Sequence, residues 1–336
     1  MSGGHRVVES GDEGGVVTVS HKSVVPSDLL STEDIETSFV ERILREAASF
    51  EEVLARPVPV VPVLRGVTVA VAFFEPSTRT RISFELAARR LSADVISFAA
   101  AGSAVSKGES LIDTALTLTA IGADCLVIRH PCSGAPERIA EVLDVPVVNA
   151  GDGCHQHPTQ ALTDLYTIRK RWGGNERLRV TIVGDIQHSR VARSAVWLFS
   201  RFGFEVTCVG PPALLPRYAE GWPCAFSHSL DDVIPNTDVL MLLRLQLERG
   251  AGGAIGSEEE YRQFFGVDLA RAKALPEGAV IMHPGPVNRG VEVDPDVLAL
   301  DNCLVNEQVA SGLAVRMAVL YLLTVGSREE PADARI

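Results

Sequence analysis

Residues 67–90 read VTVAVAFFEPSTRTRISFELAARR, and they set the architecture of the chain. The opening VTVAVAFF is an almost unbroken apolar run rich in valine and phenylalanine, the composition of a strand buried in a sheet. Glu75-Pro76 ends the run, and Ser77-Thr78 opens a stretch with the start signal of a helix. A strand that passes directly into a helix is half of a crossover, and crossovers are what parallel neighbours need.

Outward from this unit the alternation repeats. DVISFAA (94–100), DCLVIRH (124–130) and PVVNAG (146–151) are strand-like, with LIDTALTLTAIGA (111–123) and APERIAEVL (135–143) as helices between them. The pattern restarts after the long helical segment HPTQALTDLYTIRKRWG (157–173). Strands are predicted at RLRVTIVGD (177–185), FEVTCVGP (204–211), PCAFSHS (223–229), DVLMLLR (238–244) and AVIMHPGP (279–286). Helices fall at SRVARSAVWLFSRFG (189–203) and around EEEYRQFFGVDLARAKAL (258–275). The fold class is therefore α/β, with two doubly wound domains, each a mainly parallel sheet flanked by helices. The boundaries are a flexible, Gly-rich extension over 1–20, a first domain over 21–155 and a second over 156–306. The closing segment, a helix over 307–326 with Arg316 set in an apolar face, packs back on the first domain and completes it.

A length of 336 residues suits two such domains. Acidic residues number 43 against 31 Lys and Arg, a formal charge of −12, and a field of that sign repels nucleic acid and anionic membrane. Any anionic ligand must be caught by a local cluster of cations. The six cysteines are scattered without a C-x-x-C pair, which suits free thiols in a reducing cytosol and predicts a cytoplasmic protein. The first twenty residues lack a signal-peptide core, and the apolar runs are too short to span a membrane.

Ligands of open α/β sheets sit at the carboxyl ends of the strands, so the loops there carry the chemistry. Glu75-Pro76-Ser77-Thr78-Arg79-Thr80-Arg81 packs three hydroxyls and two guanidiniums around a helix N-terminus. Free backbone N–H groups, the helix dipole and the arginines together make a cradle for phosphate. The other reading is a capped helix with solvated arginines, which leaves so dense a set of hydroxyls and guanidiniums after a buried strand without a role. Glu75, among these cations, is expected to form an ion pair.

This segment, FFEPSTRTRISFE (73–85), closely resembles the carbamoyl-phosphate signature of the aspartate and ornithine carbamoyltransferases. The resemblance extends from about residue 21 to the C-terminal helix and implies a phosphate site at Ser77, Thr78, Arg79 and Thr80. By itself AGSAVSKGES (101–110) is a solvated loop; the resemblance makes its Ser103 and Lys107 contacts to substrate in a neighbouring subunit's site, and so implies a homotrimer with shared active sites. Arg129, at a strand end, matches the arginine that contacts both phosphate and carbonyl oxygen. HPTQ (157–160) matches the element in which His157 donates to the carbamoyl oxygen and Gln160 contacts the carbamoyl amide. His155 has no matching role, and His155, His157 and Cys154 make an incomplete metal set, so neither metal nor cofactor is expected. RVTIVGDIQHSR carries Gly184 but no G-x-G-x-x-G, which argues against a nicotinamide site. Arg190 there matches the holder of the amino acid's α-carboxylate.

LRLQLER (243–249) resembles the R-x-Q-x-E-R element of the aspartate branch, giving Arg244 the side-chain carboxylate, Gln246 the amino end and Arg249 an interdomain ion network with Glu75 and Arg190. A cationic pocket suits a dicarboxylate, whereas ornithine's ammonium would be repelled by Arg244. HPGP (283–286) has Pro284 where ornithine enzymes have Cys; here the resemblance implies backbone contacts, with Gly285 and Pro286 in the carbamoyl phosphate site. The implied reaction is attack of the aspartate amine on carbamoyl phosphate through a tetrahedral intermediate, a step of pyrimidine biosynthesis, with Thr80, Arg129 and His157 at the oxyanion and Lys107 as a further catalytic residue. A regulatory chain and a dihydroorotase-type enzyme are both open as further partners. Outside catalysis, a carbamoyltransferase-like scaffold is expected to have lost some of Thr80, Lys107, Arg129, His157 and Arg244, all of which are present.

Overall fold

The computed structural model of the chain describes residues 26–99, 110–174, 177–246 and 255–325. Ser103, Lys107 and Arg249 lie outside the described residues, as does the 1–20 extension. The first sheet is four-stranded and parallel, in the order β2-β1-β3-β4. Its strands are β1 (Thr68–Phe73), β2 (Asp94–Ala99), β3 (Cys125–His130) and β4 (Val147–Asp152). Between them lie α2 (Thr78–Arg90), α3 (Leu111–Ala120) and α4 (Ala135–Ala140), with α1 (Thr37–Leu54) ahead of the sheet. The helix α5 (Pro158–Trp172) leads to the second sheet, five parallel strands in the order β7-β6-β5-β8-β9. These are β5 (Arg179–Val183), β6 (Glu205–Val209), β7 (Ala225–Ser227), β8 (Val239–Leu242) and β9 (Val280–Met282). Helices α6 (Arg190–Arg201), α7 (Leu230–Val233), α8 (Glu258–Phe265) and α9 (Leu269–Ala274) join them, and α10 (Val305–Thr324) closes the described chain.

The central strands β1 and β3 are buried along their apolar runs, as the unbroken pattern of VTVAVAFF requires of a strand covered on both faces. Helix α10 packs on α1, α2 and α5, so the C-terminal helix returns to the first sheet's layer. One apolar core runs from Phe39, Phe84 and Val127 through Leu162 to Ile182 and Phe199, joining both sheets through α5 and α10. Among the described residues no helix is long and apolar enough to cross a membrane.

Two elements depart from the sequence pattern. The helix α1 has no counterpart in a reading built on strands, although Phe39, Val40, Ile43, Leu44, Ala47 and Phe50 recur at helical spacing and are all buried. The single helix expected over 258–275 is two: Val267 leaves the helix to bridge Val293, and the side chain of Asp268 then caps the new helix by accepting from the Arg271 N–H.

Candidate active site

The carboxyl ends of β1, β3, β4, β5, β8 and β9 converge on one cavity of 610 Å³, within the range that encloses small ligands. Five arginines line it, Arg79, Arg129, Arg190, Arg244 and Arg316, and among the described residues the lining holds no carboxylate. An acidic chain thus concentrates its cations where an anion would enter.

On the first-sheet side, Ser77 takes extended backbone angles and α2 starts at Thr78. The Ser77 hydroxyl makes no capping bond to its own helix. At the other serine N-caps of the described residues, Ser110, Ser189, Ser229 and Ser257, the side chain does accept from the helix backbone. The capped-helix alternative is therefore not what the structure shows at Ser77, and Ser77, Thr78 and Thr80 at the start of α2 all line the cavity. Arg79 lies beside them, its pKa lowered by burial and then by the nearby Arg244 charge. Gly285 takes φ +66°, a left-handed conformation that residues with a Cβ rarely adopt, and its Cα face lies against the Arg79 guanidinium. This is a physical reason for Gly285 at a position where the backbone alone was expected to matter.

Arg129 leaves β3 with its Nε donating to Glu75 Oε1 at 2.6 Å and its Nη1 to the Ala150 carbonyl at 3.3 Å. The same carboxylate accepts from Arg190 Nη2, 3.1 Å from Oε2 and 2.9 Å from Oε1. Glu75 therefore joins an arginine of the first sheet to one at the start of α6. A Cβ on Gly151, at φ +116°, would lie 2.7 Å from Arg190 Nη1 and 3.3 Å from Arg129 Nη1, so a bare glycine lets both guanidiniums pass. The ion network expected around Glu75 is present at Arg190, with Arg129 as its described second partner.

His157 sits at the N-terminus of α5, its backbone N–H given to Ser194 Oγ at 2.7 Å. That hydroxyl donates in turn to Gln156 Oε1 at 2.6 Å, which also accepts from the Thr32 hydroxyl. The ring is buried, and burial, followed by the charges of Arg129, Arg316 and Arg190, holds its pKa well below the ordinary value. The imidazole is consequently neutral near pH 7 and offers an N–H to a neighbouring oxygen without adding charge. One turn on, Gln160 lines the cavity. On the second-sheet side Arg190, Arg244 and Gln246 line it too, Gln246 Nε2 reaching the His188 carbonyl at 3.4 Å.

This cavity lies in a chain matched by two family models. The model for the carbamoyl-P binding domain of aspartate/ornithine carbamoyltransferase matches residues 27–170, and the model for the Asp/Orn binding domain matches 176–323. The chain belongs to the aspartate/ornithine carbamoyltransferase family. It is 55% identical over 306 residues to the aspartate carbamoyltransferase catalytic subunit of Acidothermus cellulolyticus, covering 91% of this chain and 94% of that protein. The corresponding subunit of Thermobifida fusca is 53% identical over 91% of this chain and 97% of its own length. Among solved structures, the catalytic subunit of M. jannaschii aspartate transcarbamoylase superposes with a TM-score of 0.78 at 36% identity, covering 91% of this chain and all of that one. Aspartate transcarbamoylase from Trypanosoma cruzi, in complex with carbamoyl aspartate and phosphate, gives 0.79 at 30% identity over 88% of this chain and 95% of that one.

In this member of the carbamoyltransferase family, the structure brings Ser77, Thr78, Arg79, Thr80, Arg129, His157, Gln160, Arg190, Arg244, Gln246, Gly285 and Pro286 to one cavity. It adds Ser83, Thr163, Gln308 and Arg316, which the motif reading did not place there. Arg316 is visible in the sequence as a cation in an apolar helix face, a signal that fits core packing equally well. It is buried, its Nη1 donating to Ser83 Oγ at 3.1 Å and to the Gly312 carbonyl at 2.8 Å, and burial lowers its pKa to about 10, still charged near neutrality.

His155 belongs elsewhere. With Glu137 and Asp152 it makes the group of potential metal-ligand atoms found among the described residues, all within 4.8 Å of one another. Asp152 already accepts from Asn149, Gln156, Gly134 and His155, and it is this turn of hydrogen bonds that delivers Gln156 and His157. The bond to Asp152 raises the pKa of His155.

Proposed function

We propose that this chain transfers the carbamoyl group of carbamoyl phosphate to the amine of L-aspartate, giving N-carbamoyl-L-aspartate and phosphate. The observation that carries the reading is the division of cations in one cavity. An uncapped helix end with Arg79 and Arg129 faces from the first sheet, Arg190 and Arg244 face from the second, and a neutral His157 lies between. One side suits a phosphate and the other a dicarboxylate.

In this reading residues 21–155 with the C-terminal helix hold carbamoyl phosphate, and residues 156–306 hold aspartate. The phosphate lies against Ser77, Thr78, Arg79, Thr80 and Arg129, and the carbonyl oxygen among Thr80, Arg129 and His157. Gln160 and the backbone of 284–286 meet the carbamoyl nitrogen. Arg190 takes the α-carboxylate of aspartate, Arg244 its side-chain carboxylate, and Gln246 assists at the amine. The neutral amine attacks the carbonyl carbon, a tetrahedral intermediate forms, and the C–O bond to phosphate breaks, with the departing phosphate accepting the amine proton. The acyl phosphate is already activated, so no covalent enzyme intermediate is required. Alignment of the two reactants and donors aimed at the oxyanion supply the acceleration, with each oxyanion donor worth about 3 kcal/mol. Glu75 links the two halves behind the cavity wall by holding Arg129 and Arg190. Ser103 and Lys107 complete the site from a neighbouring subunit of a homotrimer in the cytoplasm, with Lys107 touching both substrates and Arg249 joining the Glu75 network.

Phosphate release from carbamoyl phosphate, measured in parallel with aspartate, ornithine and no amine, tests the proposal. Release that depends on aspartate is expected. Release with ornithine alone would reassign the Arg244 side, and release with neither would favour a non-catalytic scaffold.

A further inference from the structure

We propose that Asp164 is a positioning residue that makes the site prefer a carbamoyl group to an acetyl group, by fixing which end of the Gln160 amide faces the ligand. The inference rests on the reading above that the carbamoyl nitrogen lies against Gln160.

An amide side chain has a donor end and an acceptor end of nearly the same shape, and packing alone does not choose between them. Carbamoyl phosphate carries an NH₂ group where acetyl phosphate carries a methyl group of similar size. Only an acceptor turned toward the ligand tells the two apart. Asp164 lies one turn beyond Gln160 on α5, fully buried, and its Oδ1 accepts from Gln160 Nε2 at 2.8 Å. That bond holds the Gln160 nitrogen away from the ligand and leaves Oε1 as the end offered to the cavity that Gln160 lines.

The same Oδ1 accepts a second amide, Gln308 Nε2 of α10, at 2.9 Å. Gln308 is thereby oriented with its Oε1 receiving the His283 backbone N–H at 2.8 Å. His283 begins the segment whose Pro284, Gly285 and Pro286 line the cavity. One carboxylate thus orients both elements placed against the carbamoyl nitrogen. Without it the Gln160 amide can turn its NH₂ to the ligand's NH₂, donor against donor, and Gln308 can turn its NH₂ against the His283 N–H.

A carboxylate is costly in this position, and packing does not explain it. Asp164 Oδ2 is buried without a hydrogen-bond partner among the described residues, and the bonds from Gln308 and Gln160 and then the nearby Arg316 charge only partly offset the burial. An apolar residue would fill the volume at less cost but would orient neither amide.

The test compares kcat/KM for carbamoyl phosphate with the inhibition constants of acetyl phosphate and inorganic phosphate, at saturating aspartate, in the full-length protein. Asp164→Ala is expected to lower kcat/KM for carbamoyl phosphate about tenfold or more, the scale of one well-placed hydrogen bond, while both inhibition constants stay within about twofold. Asp164→Leu, which fills the space without an acceptor, gives the same pattern if the alanine variant does not fold. Asp164→Asn offers the two glutamines an amide that can itself present either its oxygen or its NH₂, so its discrimination is expected to fall between wild type and Asp164→Ala. Gln160→Met removes the acceptor itself and is expected to match Asp164→Ala. Parallel loss for all three ligands in the Asp164 variants, or unchanged discrimination while Gln160→Met loses it, overturns the role of Asp164. Unchanged discrimination in Gln160→Met overturns the underlying placement of the carbamoyl group, and the inference with it.

Discussion

Helices α2 and α6 follow the first and fifth strands and occupy equivalent positions, each starting at the cavity beyond a central strand of its own sheet. Both begin after a serine, but the two serines do different things. The Ser189 hydroxyl accepts from the Ala192 N–H at 3.1 Å and satisfies its own helix, so in the proposed function the anion there is left to the side chain that follows, Arg190. The Ser77 hydroxyl makes no such bond, and the first backbone N–H groups of α2 and the hydroxyl stay available beside Thr78 and Thr80. A helix end with free donors suits a compact, highly charged phosphate. A capped helix with a projecting guanidinium suits a carboxylate, whose two oxygens match the guanidinium fork. In the proposed reading, one architectural unit, used twice, serves two anions through the placement of a single hydroxyl.

The strongest way to break the first-sheet half is Arg129→Ala. It removes a donor proposed for both phosphate and oxyanion and leaves Glu75 with one fewer cation, so kcat/KM for carbamoyl phosphate is expected to fall at least 10² to 10³-fold in steady-state assays. Breaking the second half at Arg244→Ala is expected to raise KM for aspartate about a hundredfold, with KM for carbamoyl phosphate changed by less than about threefold. If both constants rose together, the division between the halves would not hold.

A smaller effect is predicted in stability. Burial raises the Asp164 pKa to about 7, well above the ordinary carboxyl range. The folded state therefore holds this proton more tightly than the unfolded chain, and wild-type stability declines as pH rises from about 4 to about 7. Asp164→Asn has no such proton to lose. Its stability relative to wild type, from denaturant unfolding, is expected to increase between pH 5 and pH 7.5 and to level off above that. An unchanged difference across that window would place the Asp164 pKa near its ordinary value.

What the sequence made legible follows the same contrast. The α2 side is local: strand, turn, hydroxyls and arginines are contiguous in 67–90, and so the fold and the cradle could be read together. Arg190 and Arg244 needed the family pattern, since each is a single cation after a strand. That Gln308 and Arg316 reach the cavity, and the role proposed for Asp164, were not legible, because they depend on the packing of α10 on α5, a contact more than 140 residues apart at Asp164 and Gln308. The helix expected over 258–275 broke for a similar reason, a bridge from Val267 to Val293 that no local pattern records. Ser77 was legible only as a choice between a phosphate cradle and a capped helix, and the structure, where its side chain makes no capping bond, favours the first.

The most direct test of the contrast is thermal unfolding of Ser77→Ala and Ser189→Ala, each with and without saturating inorganic phosphate. Loss of the Ser189 cap costs about 1 kcal/mol, lowering Tm by about 2 °C or more while the phosphate-induced rise stays at the wild-type value. Ser77→Ala is predicted to leave Tm within about 1 °C of wild type without ligand and to weaken phosphate binding about tenfold, with a correspondingly smaller rise. A Ser77→Ala protein that melts early and keeps the full response to phosphate would contradict the account.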